Sequence, residues 1–313
     1  MDVGWFDSER EEVKDYEIFE ESLTDDNCEG LDFDLISVFA SSEVTGKVLE
    51  EIRPEGVVTR STGFDHIDLD KAEELGIEVY NVPHYGSNTV AEHAFGLLLS
   101  LSKKIPQAEE KTHHEFNHEG LEGFELKDKK FGVIGTGKIG QKAIKMAKGF
   151  EMEVIAYDPY EKEGLEEELG FMYVKFEDLI DQADIISLHC PLTDENHHLL
   201  SNEEFEKIDL KALINTARGG LIDSKALLKA LEKGSVSYAG LDVLELEDEM
   251  RDTDISDKKE FCREELEANC ELIERDDVIV TPHSAFNTKE AKERIFETSI
   301  ENIENRPEEN RVL

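Results

Sequence analysis

Gly135, Gly137 and Gly140 stand in the stretch GTGKIG, directly after the apolar run 131–134 and at the start of an amphipathic segment. Glycines fall at this spacing by chance, so the context carries the signal: strand, tight turn, helix. Gly135 permits the turn, Gly137 lets a pyrophosphate approach the backbone, and Gly140 lets helix and strand pack closely. The first N–H groups of the helix then face an anion, with Lys138 and Ile139 beside it. Asp158 follows eighteen residues past Gly140, where the next apolar run ends. A carboxylate there accepts hydrogen bonds from an adenosine ribose and repels a 2′-phosphate, so the cofactor expected is NAD. The bland alternative is that Asp158 caps the turn before Pro159.

Three further side chains follow apolar runs in the second half of the chain: Arg218 in LINTARGGLID, Glu247 in GLDVLELE and His283 in VIVTPHSAF. Taken singly, each has an ordinary explanation: a surface ion pair, one acid among many, a packed histidine. Together, on loops where strands end, they are the groups that reduction of a 2-keto acid requires beside a nicotinamide. A guanidinium holds an oxyanion, an imidazole transfers a proton, and a carboxylate governs the imidazole. His113, His114 and His118 resemble a metal cluster at first sight, but no cysteine or fourth ligand closes the set, so no metal is expected.

The elements that must position these groups alternate. The runs 2–6, 35–40, 57–60 and 77–82 read as strands, with a short helix over 71–76 ending at Gly76. Residues 87–103 form a helix apolar on most of its surface, to be buried on several sides, a subunit contact being one way. A polar helix and loop follow over 103–124. From Lys129 a second alternating block predicts strands at 129–135, 152–158, 184–190, 211–217, 235–243 and 277–283. Helices at 138–150, 176–183 and 224–234 lie between them. This is the pattern of a doubly wound parallel sheet. Residues 245–276 read as an acidic surface excursion with helical turns, and 288–305 as a helix that returns to the N-terminal block.

The chain has 313 residues, 75 of them acidic against 34 basic, for a net charge of −41. Such a surface repels nucleic acid and anionic lipid. No apolar run nears the ~20 residues of a membrane span, and the acidic start is not a secretory signal, so the expected location is cytoplasmic. The four cysteines, Cys28, Cys190, Cys262 and Cys270, contain no CxxC pair and read as free thiols. The charge raises two readings, a salt-rich cytosol or an ordinary acidic enzyme.

Seven stretches in order carry a resemblance over nearly the whole chain: TRSTGFDHIDL (59–69), NVPHYGSNTVAEHA (81–94), GTGKIG, HCPLTDENHHLLS (189–201), INTARGGLID (214–223), AGLDVLELE (239–247) and TPHSAF (281–286). The sequence resembles the D-isomer-specific 2-hydroxyacid dehydrogenases, most closely their D-lactate branch. The resemblance implies an α/β fold of two Rossmann-like or flavodoxin-like domains with parallel sheets and the active-site cleft between them. The substrate domain would be discontinuous, 1–84 plus 285–313, and the NAD domain 85–284. It implies that Arg218 grips the substrate, that His283 is the acid–base and that Glu247 pairs with it; formate-oxidising members carry Gln at the Glu position. Cys190, Pro191, Asn196, Thr216, Ala217 and Asp242 match cofactor contacts. Cys190 replaces a more usual valine and raises the prospect of oxidation. Thr62, Gly63, Tyr85 and Phe286 match substrate contacts, and Phe39 stands where some members have tyrosine. The implied reaction is reduction of pyruvate to D-lactate by a homodimer paired through 87–103 and the loop after it. Alternatives are hydroxypyruvate, glyoxylate or a longer keto acid as substrate, or an NAD(H)-sensing corepressor without turnover.

Overall fold

The computed structural model describes residues 17–250 and 263–313. The expected first strand at 2–6 and Cys262 lie outside the described residues. The chain divides into two compact units, Met1–Tyr85 with Asn287–Leu313, and Gly86–Phe286.

In the discontinuous unit, β1 (Leu35–Val38), β2 (Gly56–Thr59) and β3 (Glu78–Tyr80) pair in parallel, in that order. Helix α1 (Gly46–Ile52) is capped by the Thr45 hydroxyl, and α2 (Leu69–Leu75) by the Asp68 carboxylate. Both end in a left-handed residue, Arg53 and Gly76, as helix C-termini commonly do. Val48, Leu49, Ile52, Val57, Val79 and Ala72 form the core between sheet and helices.

The second unit opens with α3 (Ser87–Ser102) and α4 (Ile105–Thr112). Its strands are β4 (Lys130–Ile134), β5 (Glu153–Tyr157), β6 (Met172–Tyr173), β7 (Ile185–Leu188), β8 (Ala212–Asn215), β9 (Ala239–Leu241) and β10 (Val278–Val280). All neighbours are parallel, in the order β10-β9-β8-β7-β4-β5-β6. The order reverses between β4 and β7, the switch point at which such sheets open a crevice beyond their carboxyl ends. The strands of the sheet's middle are buried on both faces, as covered parallel sheets require: IISL of β7 and ALIN of β8 expose no residue. The covering helices are α5 (Lys138–Gly149), α6 (Leu165–Leu169), α7 (Phe176–Gln182), α8 (Asn202–Phe205), α9 (Ser224–Lys233), α10 (Glu247–Met250) and α11 (Glu264–Ile273). The last helix, α12 (Lys289–Asn305), belongs to the first unit and packs on β2. Its Asn302 amide donates to the Asn81 carbonyl at 2.7 Å.

Burial of the apolar helix is as expected, and two other expectations need correction. The apolar helix α3 finds its burial inside its own unit, against α5, β8 and β9, so its apolar surface does not require a subunit partner. The predicted strand 235–243 shortens to Ala239–Leu241, because its neighbours β8 and β10 offer pairing over three residues only. The acidic stretch is not an excursion throughout: α11 buries Leu266, Ala268, Asn269, Cys270 and Leu272 and packs on α9. Its acids sit on the outer side and hide the apolar spacing within the composition.

Candidate active site

The glycine turn sits at the switch point. Gly135 has φ +96, and a Cβ there would lie 2.7 Å from the His189 carbonyl of the loop after β7. A Cβ on Gly140 would lie 2.0 Å from the Gly135 carbonyl, so both positions exclude a side chain. At Gly137 an added Cβ meets nothing within 4 Å, and α5 has no side-chain cap. The helix therefore presents unfilled N–H donors to open space, next to Lys138 and Ile139, which is what a pyrophosphate needs. Two buried polar atoms in the neighbouring loops lack a partner, His189 Nδ1 and Thr216 Oγ1. A bound dinucleotide can satisfy such orphans, so the residues present fit NAD.

Asp158 ends β5 beside this turn. Its Oδ2 accepts from the Thr136 amide at 2.7 Å and hydroxyl at 2.9 Å, and its Oδ1 from the Tyr160 amide at 2.9 Å. The turn-capping role is therefore real. An ionised carboxylate has about four acceptor positions, so it leaves room for one more donor. Thr136 also meets the Tyr173 hydroxyl at 2.8 Å, and its carbonyl accepts from Lys162 at 3.2 Å. Sequence reading passed over Thr136, Lys162 and Tyr173, since nothing in their spacing marks them.

After β7, Cys190 and Pro191 lead into a loop fastened by Asn196, which accepts from the Thr193 amide and donates to the Pro191 carbonyl. Burial pushes the Cys190 thiol up to about 11, with Asp158 adding to the rise. It stays a thiol near neutral pH, which lowers its reactivity. Burial likewise pushes His189 down to about 4, while its Nε2 meets the Ser187 hydroxyl at 2.9 Å.

The chemical residues stand at the carboxyl ends of three adjacent strands, β8, β9 and β10. Arg218 follows β8 on a turn held by the buried Asn215, whose Nδ2 donates to the Arg218 carbonyl at 2.9 Å and whose Oδ1 accepts from the Ala217 amide at 3.0 Å. Asn215 was not singled out in the sequence, although it lies in the same motif. The next residue, Gly219, is where the Arg218 turn meets the turn after β9: a Cβ there would lie 2.1 Å from the Leu244 carbonyl. That second turn carries Glu247, whose Oε2 accepts from the Leu244 amide at 3.1 Å while Oε1 accepts from His283 Nδ1. Glu247 and His283 side chains are 22% and 34% exposed, accessible to a small molecule yet largely shielded. His283 itself has φ +48, a left-handed conformation costly for a residue with a Cβ.

Asp242 maintains that conformation. Its backbone carbonyl accepts from the His283 amide, and its buried carboxylate accepts from the Ser284 and Ala285 amides at 2.9 and 2.8 Å and from the Thr281 hydroxyl. His93, on α3, meets Thr281 Oγ1 at 2.9 Å. Burial raises the Asp242 carboxyl, but bonds from His93, Thr281 and the two amides outweigh it and hold the group below its ordinary value. The carboxylate is thus committed to the His283 loop, a role that its expected cofactor contact did not suggest.

In the other unit, Thr62 and Gly63 follow β2. The Thr62 hydroxyl donates to the Val82 carbonyl, the Asn81 amide to the Thr62 carbonyl, and the Ser61 hydroxyl to the Gly63 carbonyl. Three hydrogen bonds thus fasten the loop, and among the described residues its two amides meet no acceptor. Tyr85 closes this unit, its carbonyl accepting from Arg294 Nε at 2.8 Å, whereas Phe286 closes the other.

Residues 95–285 match the sequence model of the D-isomer specific 2-hydroxyacid dehydrogenase NAD binding domain. The chain is 40% identical over 275 residues to D-lactate dehydrogenase of Escherichia coli (strain K12), covering 86% of this chain and 82% of that protein. It is 38% identical over 278 residues to an aromatic 2-oxoacid reductase of Clostridium sporogenes, covering 87% and 82%. Among solved structures it is similar to D-lactate dehydrogenase from Aquifex aeolicus complexed with NAD and lactic acid. That match has a TM-score of 0.81 at 35% identity and covers 89% of this chain and 86% of that one.

Proposed function

Because the chain belongs to the D-isomer specific 2-hydroxyacid dehydrogenase family, whose members are NAD-dependent oxidoreductases acting on 2-hydroxy acids, we propose that its reaction is the reduction of pyruvate to D-lactate. The observation that carries the proposal is the hydrogen bond from His283 Nδ1 to Glu247, on a turn packed backbone to backbone against that of Arg218. Glu247 occupies Nδ1, which leaves Nε2 as the nitrogen that gives a proton to the ketone oxygen and takes it back in oxidation. Bound NADH supplies the hydride. Arg218 pairs with the carboxylate and ketone oxygens of the substrate through its planar fork. The Gly135–Gly140 turn, with Lys138, Ile139, Asp158, Cys190, Pro191, Asn196, Thr216 and Ala217, holds the dinucleotide. Asp242 acts on it indirectly, by fixing the loop of His283. Thr62 and Gly63 offer paired amide donors suited to a carboxylate, and Tyr85 and Phe286 supply aromatic surface for a small side chain.

A second substrate class has one specific support, the similarity to a reductase of aromatic 2-oxoacids. Initial rates with NADH across pyruvate, hydroxypyruvate, glyoxylate, 2-ketoisocaproate and phenylpyruvate separate the readings. Pyruvate is expected to give the highest kcat/KM; a clear preference for phenylpyruvate or hydroxypyruvate replaces the substrate and leaves the reaction class intact. We further propose a homodimer that uses the surface after α3, where Ile105 is 51% and Phe116 97% exposed. Light scattering that returns a monomer mass at micromolar protein sinks that part.

A further inference from the structure

We propose that His197, His198 and Glu245 form a binding site for a divalent transition-metal ion of the zinc class, separate from the residues assigned to catalysis. Their ligand atoms lie within 4.8 Å of one another. His198 Nε2 is 2.7 Å and His197 Nε2 3.5 Å from the same oxygen, Glu245 Oε1. The two rings stack at 4.0 Å, so both nitrogens converge from one side. Two imidazoles and a carboxylate are a donor set that suits zinc, cobalt or nickel and does not suit magnesium or calcium, which prefer all-oxygen sites.

An independent observation points the same way. Glu245 has a side chain only 11% exposed, and its Oε2 is buried with no partner. A shielded carboxylate oxygen left unsatisfied costs free energy. A cation bound by this carboxylate and the two Nε2 atoms, each ring carrying its proton on Nδ1, supplies the carboxylate with a partner.

The scaffold is already set for ligation. The His198 amide donates to the Gly220 carbonyl at 2.8 Å, and His198 has φ +54, a strained backbone held by its surroundings. The Glu245 carbonyl accepts from the buried Asn269 at 2.7 Å. Its backbone abuts Gly219, which would tolerate no Cβ. His197 is half exposed, which gives the ion an entry path and leaves coordination positions for water. A net charge of −41 draws cations to the surface generally; the imidazoles select among them. A bound ion would tie the loop after β7 to the turn after β9, so the metal-loaded protein melts at a higher temperature.

The test is titration of chelator-stripped full-length protein with Co²⁺ and Zn²⁺, followed by the visible Co²⁺ absorbance and by calorimetry. One ion per chain is expected, with a cobalt band removed by Zn²⁺, no comparable response to Mg²⁺, and a raised melting temperature. His197→Asn and Glu245→Gln should each weaken Zn²⁺ binding by about a hundredfold, as loss of a metal-site contact does. His113→Asn, at the exposed pair with Glu109, should leave it unchanged. His197→Asn removes a half-exposed ring, so its folding is not in question, and circular dichroism checks the Glu245 variant. Absence of stoichiometric binding to the wild type, or equal affinity in His197→Asn and wild type, overturns the site.

Discussion

His283 adopts a left-handed backbone conformation, and its neighbours show what keeps it there: the Asp242 carbonyl on its amide and the Asp242 carboxylate on the two amides after it. If its Nε2 carries the proton, His283→Ala lowers kcat about a hundredfold or more. NADH affinity should barely move, since the glycine turn is remote in sequence and independently built; fluorescence titration beside steady-state kinetics reads both. A large loss of NADH affinity would instead make His283 a binding residue. His189 makes a different prediction. Burial holds it at about 4 in the folded chain, against 6.5 as its ordinary value. Below 6.5 the unfolded chain takes up a proton that the folded chain refuses, so stability is full above that value and is lost as pH falls toward 4. His189→Gln should flatten this acid limb in urea titrations; an unchanged slope excludes His189 as its source. The types and order of Arg218, Glu247 and His283 were legible in the sequence because they follow apolar strands in three separate motifs. The partners of Thr281 and His93 were not, because a hydrogen bond between distant segments leaves no periodic trace; Asn215 bonds only two and three residues on, but its type marks no strand end by itself.

At the scale of elements, the long and strongly patterned segments were legible: α3, α5, α9 and α12 lie where their apolar spacing puts them. The short ones were not. β6 has two residues, α6 five and α8 four, too few for either periodicity to emerge. They exist because neighbours complete them, as when β6 pairs with β5 at the sheet edge. Turns after β8 and β9 are joined by a close approach at Gly219, which yields a direct test. Gly219→Ala places a Cβ 2.1 Å from the Leu244 carbonyl, so one turn must move. The variant should lose about 1–3 kcal/mol of stability and a larger share of kcat than of NADH affinity, because the shift separates Arg218 from Glu247. Wild-type melting and turnover would show that the two turns are not coupled.

For the whole molecule, the governing quantity is charge. With 75 acidic and 34 basic residues, compaction works against self-repulsion that counterions screen over about 10 Å at 0.1 M salt. The thermal midpoint is therefore expected to rise between low salt and molar KCl. A midpoint that stays level or falls dismisses the idea of a chain suited to a salt-rich interior. Among the described residues no helix is long and apolar enough to cross a membrane.

Composition, apolar spacing and ordered motifs determined on their own that this is an α/β chain with a dinucleotide turn and the residue types for keto-acid reduction. They could do so because periodicity and turn chemistry are local properties, written within a few residues of each other. Tertiary structure decided the rest: which carboxylate, Asp242, is committed to holding a strained loop; that α3 is covered from within its own unit; and that two adjacent histidines, His197 and His198, meet the half-satisfied Glu245 from a distant segment. Those outcomes depend on which strand ends lie side by side, and adjacency in a parallel sheet is settled by packing over the whole chain.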